Sequence, residues 1–268
     1  MPVITIASLV RNRDWILSDF LKHLYNIKYD KKKIILHFVI NNSTDQSEVL
    51  IREFKKKYDK EYLRIKIDVL NKGGLEEDTR VGNTRFRVIY TRLSELRNYI
   101  FDKCNTDYLL NIDSDILVSE DILEKLLEHK KDMVSSFIWN GYHVSEKDYF
   151  RFSNIMKYVG NICIEENGKV FYGDPKFRAY GKKEIEKFKE KGVRLLEVGL
   201  TGAACLYSKK IIKDKRVRFG FDCNGEDHFF CIKAKQNNYK IYTDLECYSQ
   251  HIMDKDWYKK YKLGVDIS

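Results

Sequence analysis

The first 115 residues alternate apolar runs with amphipathic stretches, and that alternation leaves few folds open. Residues 3–9, 34–40 and 63–70 read as strands. Between them, Trp15, Ile16, Phe20, Leu21 and Leu24 mark one face of a helix over 14–27, and a second helix is expected from about 46 to 58. A polar loop over 71–83 leads to the most regular helical pattern of the chain, carried by Phe86, Ile89, Tyr90, Leu93, Leu96 and Ile100. That helix delivers the chain to an apolar run at 107–112. Strands separated by helices pair in parallel, and a parallel sheet needs both faces covered. The expectation is a doubly wound α/β layer.

The fourth run ends in Asp113-Ser114-Asp115. Open α/β sheets place ligands at the carboxyl ends of their strands. Two carboxylates one residue apart suit a hard divalent cation, Mg²⁺ or Mn²⁺. The same residues equally suit a plain strand-to-turn ending with an Asx-type bond, so the motif alone does not decide.

Beyond Asp115 the periodicity loosens. Ser119 is the expected N-cap of a helix carrying Leu123, Leu126 and Leu127. Residues 133–139 read as a strand, and 140–194 as polar, aromatic and irregular, with a helical stretch near 182–191. An apolar run over 195–207 surrounds Gly199 and Gly202, which predict close backbone approach. Gly225-Glu226-Asp227 opens a helix, 239–243 is a short strand, and His251 follows it. Trp139, Tyr142, Tyr149 and Phe150 suit core packing or the stacking wall of a ligand pocket.

With two prolines and 14 glycines there is no linker-like segment, which favours one unit over 1–268. The six cysteines (104, 163, 205, 223, 231 and 247) include no Cys-x-x-Cys pair and suit reduced thiols rather than disulfides or zinc. No apolar run approaches transmembrane length and no signal-like leader is legible, so a cytoplasmic location is expected. The net charge of +9 is compatible with a solvated lysine-rich surface, an anionic substrate, nucleic acid or peripheral contact with the inner face of an anionic membrane.

Several features then fall in a telling order: Asn41-Asn-Ser-Thr-Asp45, Leu96-Arg97-Asn98, Asp113-Ser-Asp115, Gly225-Glu226-Asp227 and His251. This ordered set resembles the GT-A glycosyltransferases, especially the large, mostly inverting family 2-like group, and the resemblance covers nearly the whole chain. It implies a Rossmann-like, mostly parallel central sheet with a smaller mixed acceptor-side region. Residues 1–115 would bind the nucleotide sugar, and 116–268 would supply the acceptor side and the base.

By the same resemblance, Asp115 and His251 bind a divalent metal, and Asp113 reaches both metal and ribose beside Ser114. Asp227 is the catalytic base, with Glu226 next to it. Ala7, Ser8 and Arg11 cradle the nucleotide, and Arg97 lies close to it. Asn41 stands where the group commonly has an aspartate that reads the uracil base; the amide leaves uridine and guanosine donors both open. Partners implied are a nucleoside diphosphate sugar donor, UDP-linked in the first reading, and a saccharide, lipid-linked or protein acceptor, with no nucleic acid. At the start of a helix Asp227 is expected to stay ionised through the dipole, against repulsion from Glu226. His228 is the competing ligand to His251. The rival readings are a retaining enzyme on the same fold and, more remotely, a non-catalytic nucleic-acid-binding protein.

Overall fold

The computed structural model describes residues 1–73, 83–143, 149–166, 169–221 and 225–265. The first half runs β1 (Ile4–Val10), α1 (Asp14–Asn26), a 3-10 turn (Lys31–Lys33), β2 (Ile34–Asn41), α2 (Ser47–Tyr58), β3 (Arg64–Leu70), α3 (Asn83–Lys103), β4 (Tyr108–Ile112) and β5 (Ile116–Val118). The second half continues with α4 (Ile122–Glu128), β6 (Met133–Phe137), β7 (Trp139–His143), β8 (Tyr149–Ser153), β9 (Met156–Glu166), β10 (Lys169–Ala179) and α5 (Lys182–Glu190). It closes with β11 (Leu195–Val198), β12 (Ala204–Ser208), α6 (Lys209–Lys213), α7 (Glu226–Gln236), β13 (Ile241–His251) and α8 (Lys255–Lys262).

Among the described residues, nine strands form one sheet in the order β11-β13-β6-β12-β4-β1-β2-β3, with β5 joined to β13. β3, β2, β1 and β4 are mutually parallel, as the strand–helix alternation requires. β12 then enters antiparallel between β4 and β6. One apolar layer packs Leu17, Phe20 and Leu24 of α1 under β1 and β2. A second packs Leu96, Ile100 and Phe101 of α3 with Phe219 and Phe230 on the other face. Both layers are buried, which is why β1, β2 and β4 read as continuous apolar runs.

Three expectations are revised. Ser119 is not the cap of α4: its carbonyl accepts from Ile122 N, and Asp121 holds the cap position. The supposedly irregular stretch after residue 139 contains two antiparallel hairpins, β7–β8 and β9–β10. The late strand is 11 residues long and ends on His251 itself. It bends at Asp244, which is fully buried and accepts from Glu246 N and Cys247 N as well as His129 and Arg194. Before the bend β13 pairs with β6; after it, Ser249–His251 pair with β5. Most of the polar loop at 71–83 and Cys223 lie outside the described residues, as do the side chains of Tyr142, Tyr149, Phe150 and Cys163. Cys104, Cys205, Cys231 and Cys247 are buried free thiols.

Candidate active site

The carboxyl ends of β1, β2 and β4, the face of α3 and the start of α7 enclose a cleft of about 340 Å³. Arg11, Asn41, Arg97, Asp113, Ser114, Asp115, Glu226, Asp227 and His251 all line it, although they come from both halves of the sequence. Ala7 and Ser8 do not. β1 extends through both, they are buried within it, and the turn expected there falls at Arg11–Arg13 instead.

That turn is stitched to the one after β2. Asn12, at φ 49 in the left-handed region that asparagine tolerates, donates its N–H to Ser43 Oγ and accepts at Oδ1 from Thr44 N. Arg13 N donates to Ser47 Oγ and Asp14 N to Asp45 Oδ2. The polar Asn-Asn-Ser-Thr-Asp stretch therefore fixes the neighbouring loop. Arg13 is thereby held with Nη2 3.3 Å from Asp115 Oδ2. Asn41 spends its amide on the backbone, accepting from Lys72 N and donating to Gly73 O.

Asp115 meets His251 because β5 pairs with β13 in a register that sets His251 opposite Ile116, and Ile252 N donates to Asp115 O. His251 Nε2 lies 3.6 Å from Asp115 Oδ1, while Nδ1 lies 2.8 Å from Asn140 Oδ1. With Nδ1 as the donor to that amide oxygen, Nε2 carries a lone pair toward a carboxylate oxygen. Two acceptors set this way are suited to share a cation, and the imidazole is oriented as second partners orient metal-bound histidines. Asp113, expected in the same ligand set, faces Arg97 instead, with Nη2 at 3.0 and 3.3 Å from its two oxygens. Among the described residues no three His, Cys, Asp or Glu side chains converge as a complete metal cage. The pair of Asp115 and His251 fits a cation that takes its remaining ligands from water and phosphate, as Mg²⁺ and Mn²⁺ commonly do.

Arg97 is the electrostatic centre. Its side chain is 5% exposed, with Nε 3.0 Å from Glu226 Oε1 and 4.0 Å from Asp227 Oδ1. The adjacent Asn98 exchanges two hydrogen bonds with the backbone of Phe219, tying α3 to the segment that leads toward α7. Gly225 takes φ +116 at the N-cap of α7, a conformation closed to other residues without strain, and so aims Glu226 and Asp227 back at Arg97. Four carboxylates (113, 115, 226 and 227) share the mostly buried cleft, and the single guanidinium of Arg97 meets three of them. Burial accordingly pushes Asp113 up to about 6 against the pull of Arg97, with Asp115 and Glu226 adding to the rise. It pushes Asp227 further, to about 8, with Glu226 and Asp113 reinforcing it. Desolvation thus outweighs the helix dipole, contrary to the expectation that Asp227 stays ionised across the neutral range.

Gly202 and Gly199 do permit close approach, but to protein. A Cβ on Gly202 would lie 2.1 Å from Asp227 Oδ2, and one on Gly199 would meet the Phe177 ring at 2.7 Å. His228, the competing ligand, is buried edge-on against Phe177 rather than in the cleft. Trp139 packs edge-on against Phe137. Arg13 and Asn140 escaped the sequence reading. The density of charge in Arg11-Asn12-Arg13 was a signal for the first; nothing local marks Asn140.

A protein-family model, Anp1, matches residues 2–161. No curated protein sequence matches the chain. Among solved structures, S. aureus TarS 1–349 in complex with UDP-GlcNAc is similar with a TM-score of 0.54 at 17% identity, covering 95% of this chain and 60% of that one. The mannosyltransferase PcManGT from Pyrobaculum calidifontis, in complex with GDP-Man and Mn²⁺, has a TM-score of 0.55 at 12% identity over 98% of this chain and 60% of that one. The chain therefore spans about three fifths of each of these relatives. With the family model matched over more than half its length, the chain belongs to the Anp1 family, on the GT-A glycosyltransferase fold.

Proposed function

We propose that this chain is a metal-dependent, inverting glycosyltransferase that moves a sugar from a nucleoside diphosphate, UDP in the first instance, to a hydroxyl acceptor. The observation that carries the reading is the placement, in one cleft, of the facing Asp115–His251 pair and of Asp227 across Arg97. Asp115 and His251 would hold the cation, and their mixed oxygen and nitrogen donors suit Mn²⁺ better than Mg²⁺, which favours all-oxygen shells. When bound, the cation supplies charge stabilisation for the departing diphosphate.

The remaining work falls to the chain. Arg11 and Arg13 at the end of β1 give the diphosphate two fixed positive charges. The amide oxygen of Asn41 has a second acceptor lone pair for a uracil N3–H. Asp227 takes the acceptor hydroxyl proton as that oxygen bonds to the anomeric carbon and the carbon–diphosphate oxygen bond breaks on the opposite face. Arg97 holds Asp113, Glu226 and Asp227 in register, and Glu226 acts through it. The acceptor approaches from the half of the chain after residue 115, which brings Asp227.

Incubation with UDP- and GDP-linked sugars and Mn²⁺, with release of the nucleoside diphosphate followed, tests the reading. Release from at least one donor, abolished by a chelator, is expected; no release from any donor contradicts it. The anomeric configuration of the transferred sugar distinguishes inversion from retention.

Two smaller predictions arise here. Asn140→Ala removes the partner of His251 Nδ1, and Mn²⁺ affinity should fall roughly 10- to 100-fold by calorimetric titration, with the fold intact. Gly202→Ala should drive the Asp227 carboxylate out of place and slow transfer roughly a hundredfold, while nucleotide affinity changes little.

A further inference from the structure

We propose that the amino ends of β2 and β3 form a docking surface for an anionic lipid bilayer. Residues 31–33 and 55–66 hold nine basic side chains against two acids, seven of the net charge of +9. With the bordering acids Asp30 and Glu53 counted, the region keeps +5. The fold joins the two segments: Leu63 N donates to Lys31 O and Ile34 O, and Lys32 Nζ reaches Lys60 O. Lys32, Lys33, Lys56, Lys57, Lys60 and Arg64 are exposed.

Lysines on an edge strand commonly serve to block sheet extension, and β3 is such an edge. That role does not reach Lys31–Lys33, Lys56 or Lys57, which lie off β3. The chemistry beside them is also amphipathic. Leu63 is 49% exposed among the basic groups. Tyr25 and Tyr58 lie ring to ring at 4.4 Å, with Lys31 Nζ 4.5 Å from the first ring and Lys57 Nζ 4.9 Å from the second. Clustered lysines with an apolar side chain and tyrosines at their level match a headgroup layer. A phosphodiester backbone would use the charges and leave Leu63 without a partner.

The active-site cleft opens at the other end of the same strands, about 23 Å away along the eight residues of β2. Docking therefore leaves the cleft facing away from the bilayer. Among the described residues no helix is long and apolar enough to cross a membrane.

Sedimentation with vesicles of phosphatidylcholine, with and without roughly one-third phosphatidylserine, tests the proposal. Binding is expected to the anionic vesicles alone and to fall with salt. Each basic residue near such a surface changes affinity about fivefold, so Lys31→Gln/Lys32→Gln/Lys33→Gln and Lys56→Gln/Lys57→Gln/Lys60→Gln should each bind about a hundredfold more weakly. Unchanged melting temperatures and unchanged nucleoside diphosphate release in both variants would locate the loss at the surface. Binding that is absent, equal on neutral vesicles or unaltered in both variants overturns the proposal. So does tighter binding to duplex DNA or RNA than to anionic vesicles at one salt concentration. Vesicle binding without sugar transfer would leave this surface standing and remove only the catalytic reading.

Discussion

Asp227→Asn is expected to lower sugar transfer by about 10²–10⁴-fold, the usual range for loss of a general base. The substitution keeps the shape that Gly202 accommodates and removes the proton acceptor. Nucleotide affinity should stay within a few-fold, because the Asp115–His251 pair and the arginines after β1 are untouched. The pH dependence gives a second readout. Burial raises the Asp227 carboxyl to about 8 in the metal-free cleft, and a bound cation would draw it down, so transfer by the metal-loaded wild type should rise with pH along a limb that ends at or below about 8. The Asp227→Asn variant should show no such limb. Stability runs the other way. Asp227 at about 8 and Asp113 at about 6 both stand above their ordinary 3.8, so the folded, metal-free protein binds protons that the unfolded chain releases. Their contribution is complete below about pH 4 and is lost as pH rises toward 8. Urea unfolding of the chelator-treated protein at several pH values checks the sign.

Arg97→Met is expected to destabilise the protein by about 3–5 kcal/mol, the cost of stripping one partner from buried ionic groups. Arg97 faces Asp113, Glu226 and Asp227, so its loss leaves three acids in a desolvated cluster. The deficit should be larger at pH 8 than at pH 5, because Asp113 and Asp227 can relieve it only by holding protons. A pH-independent loss measured in urea would mean that the methionine fails through packing instead.

How far this site was legible in the sequence depends on how far apart its parts lie. The parallel strands and α1–α3 show themselves through local periodicity, because each buries a face set by a repeat of two or 3.6 residues. Asp113, Asp115, Asp227 and His251 were identifiable because their order along the chain carries a pattern. The hairpins between β7 and β10 were not legible, because the aromatic and charged residues over 139–179 show no sustained period-two alternation. The pairing of Arg13 with Asp115 spans 102 residues and that of Asn140 with His251 spans 111, so only the folded sheet creates either. The rise at Asp227 is illegible for the same reason. A helix start is visible in sequence, whereas the burial that overrides its dipole comes from distant segments such as Gly202, with Asp113 adding to the rise and Arg97 opposing it.

In the proposed enzyme, Asp115 and His251 hold a divalent cation on which nucleotide-sugar binding depends. A thermal-shift measurement with UDP- and GDP-sugars, with and without Mn²⁺, on the wild type and Asp115→Ala tests it most directly, since a ligand that binds only the folded state raises its melting temperature. A donor-dependent rise is predicted in the wild type that requires Mn²⁺ and disappears in Asp115→Ala. An equal rise in both proteins, or one indifferent to Mn²⁺, would contradict it.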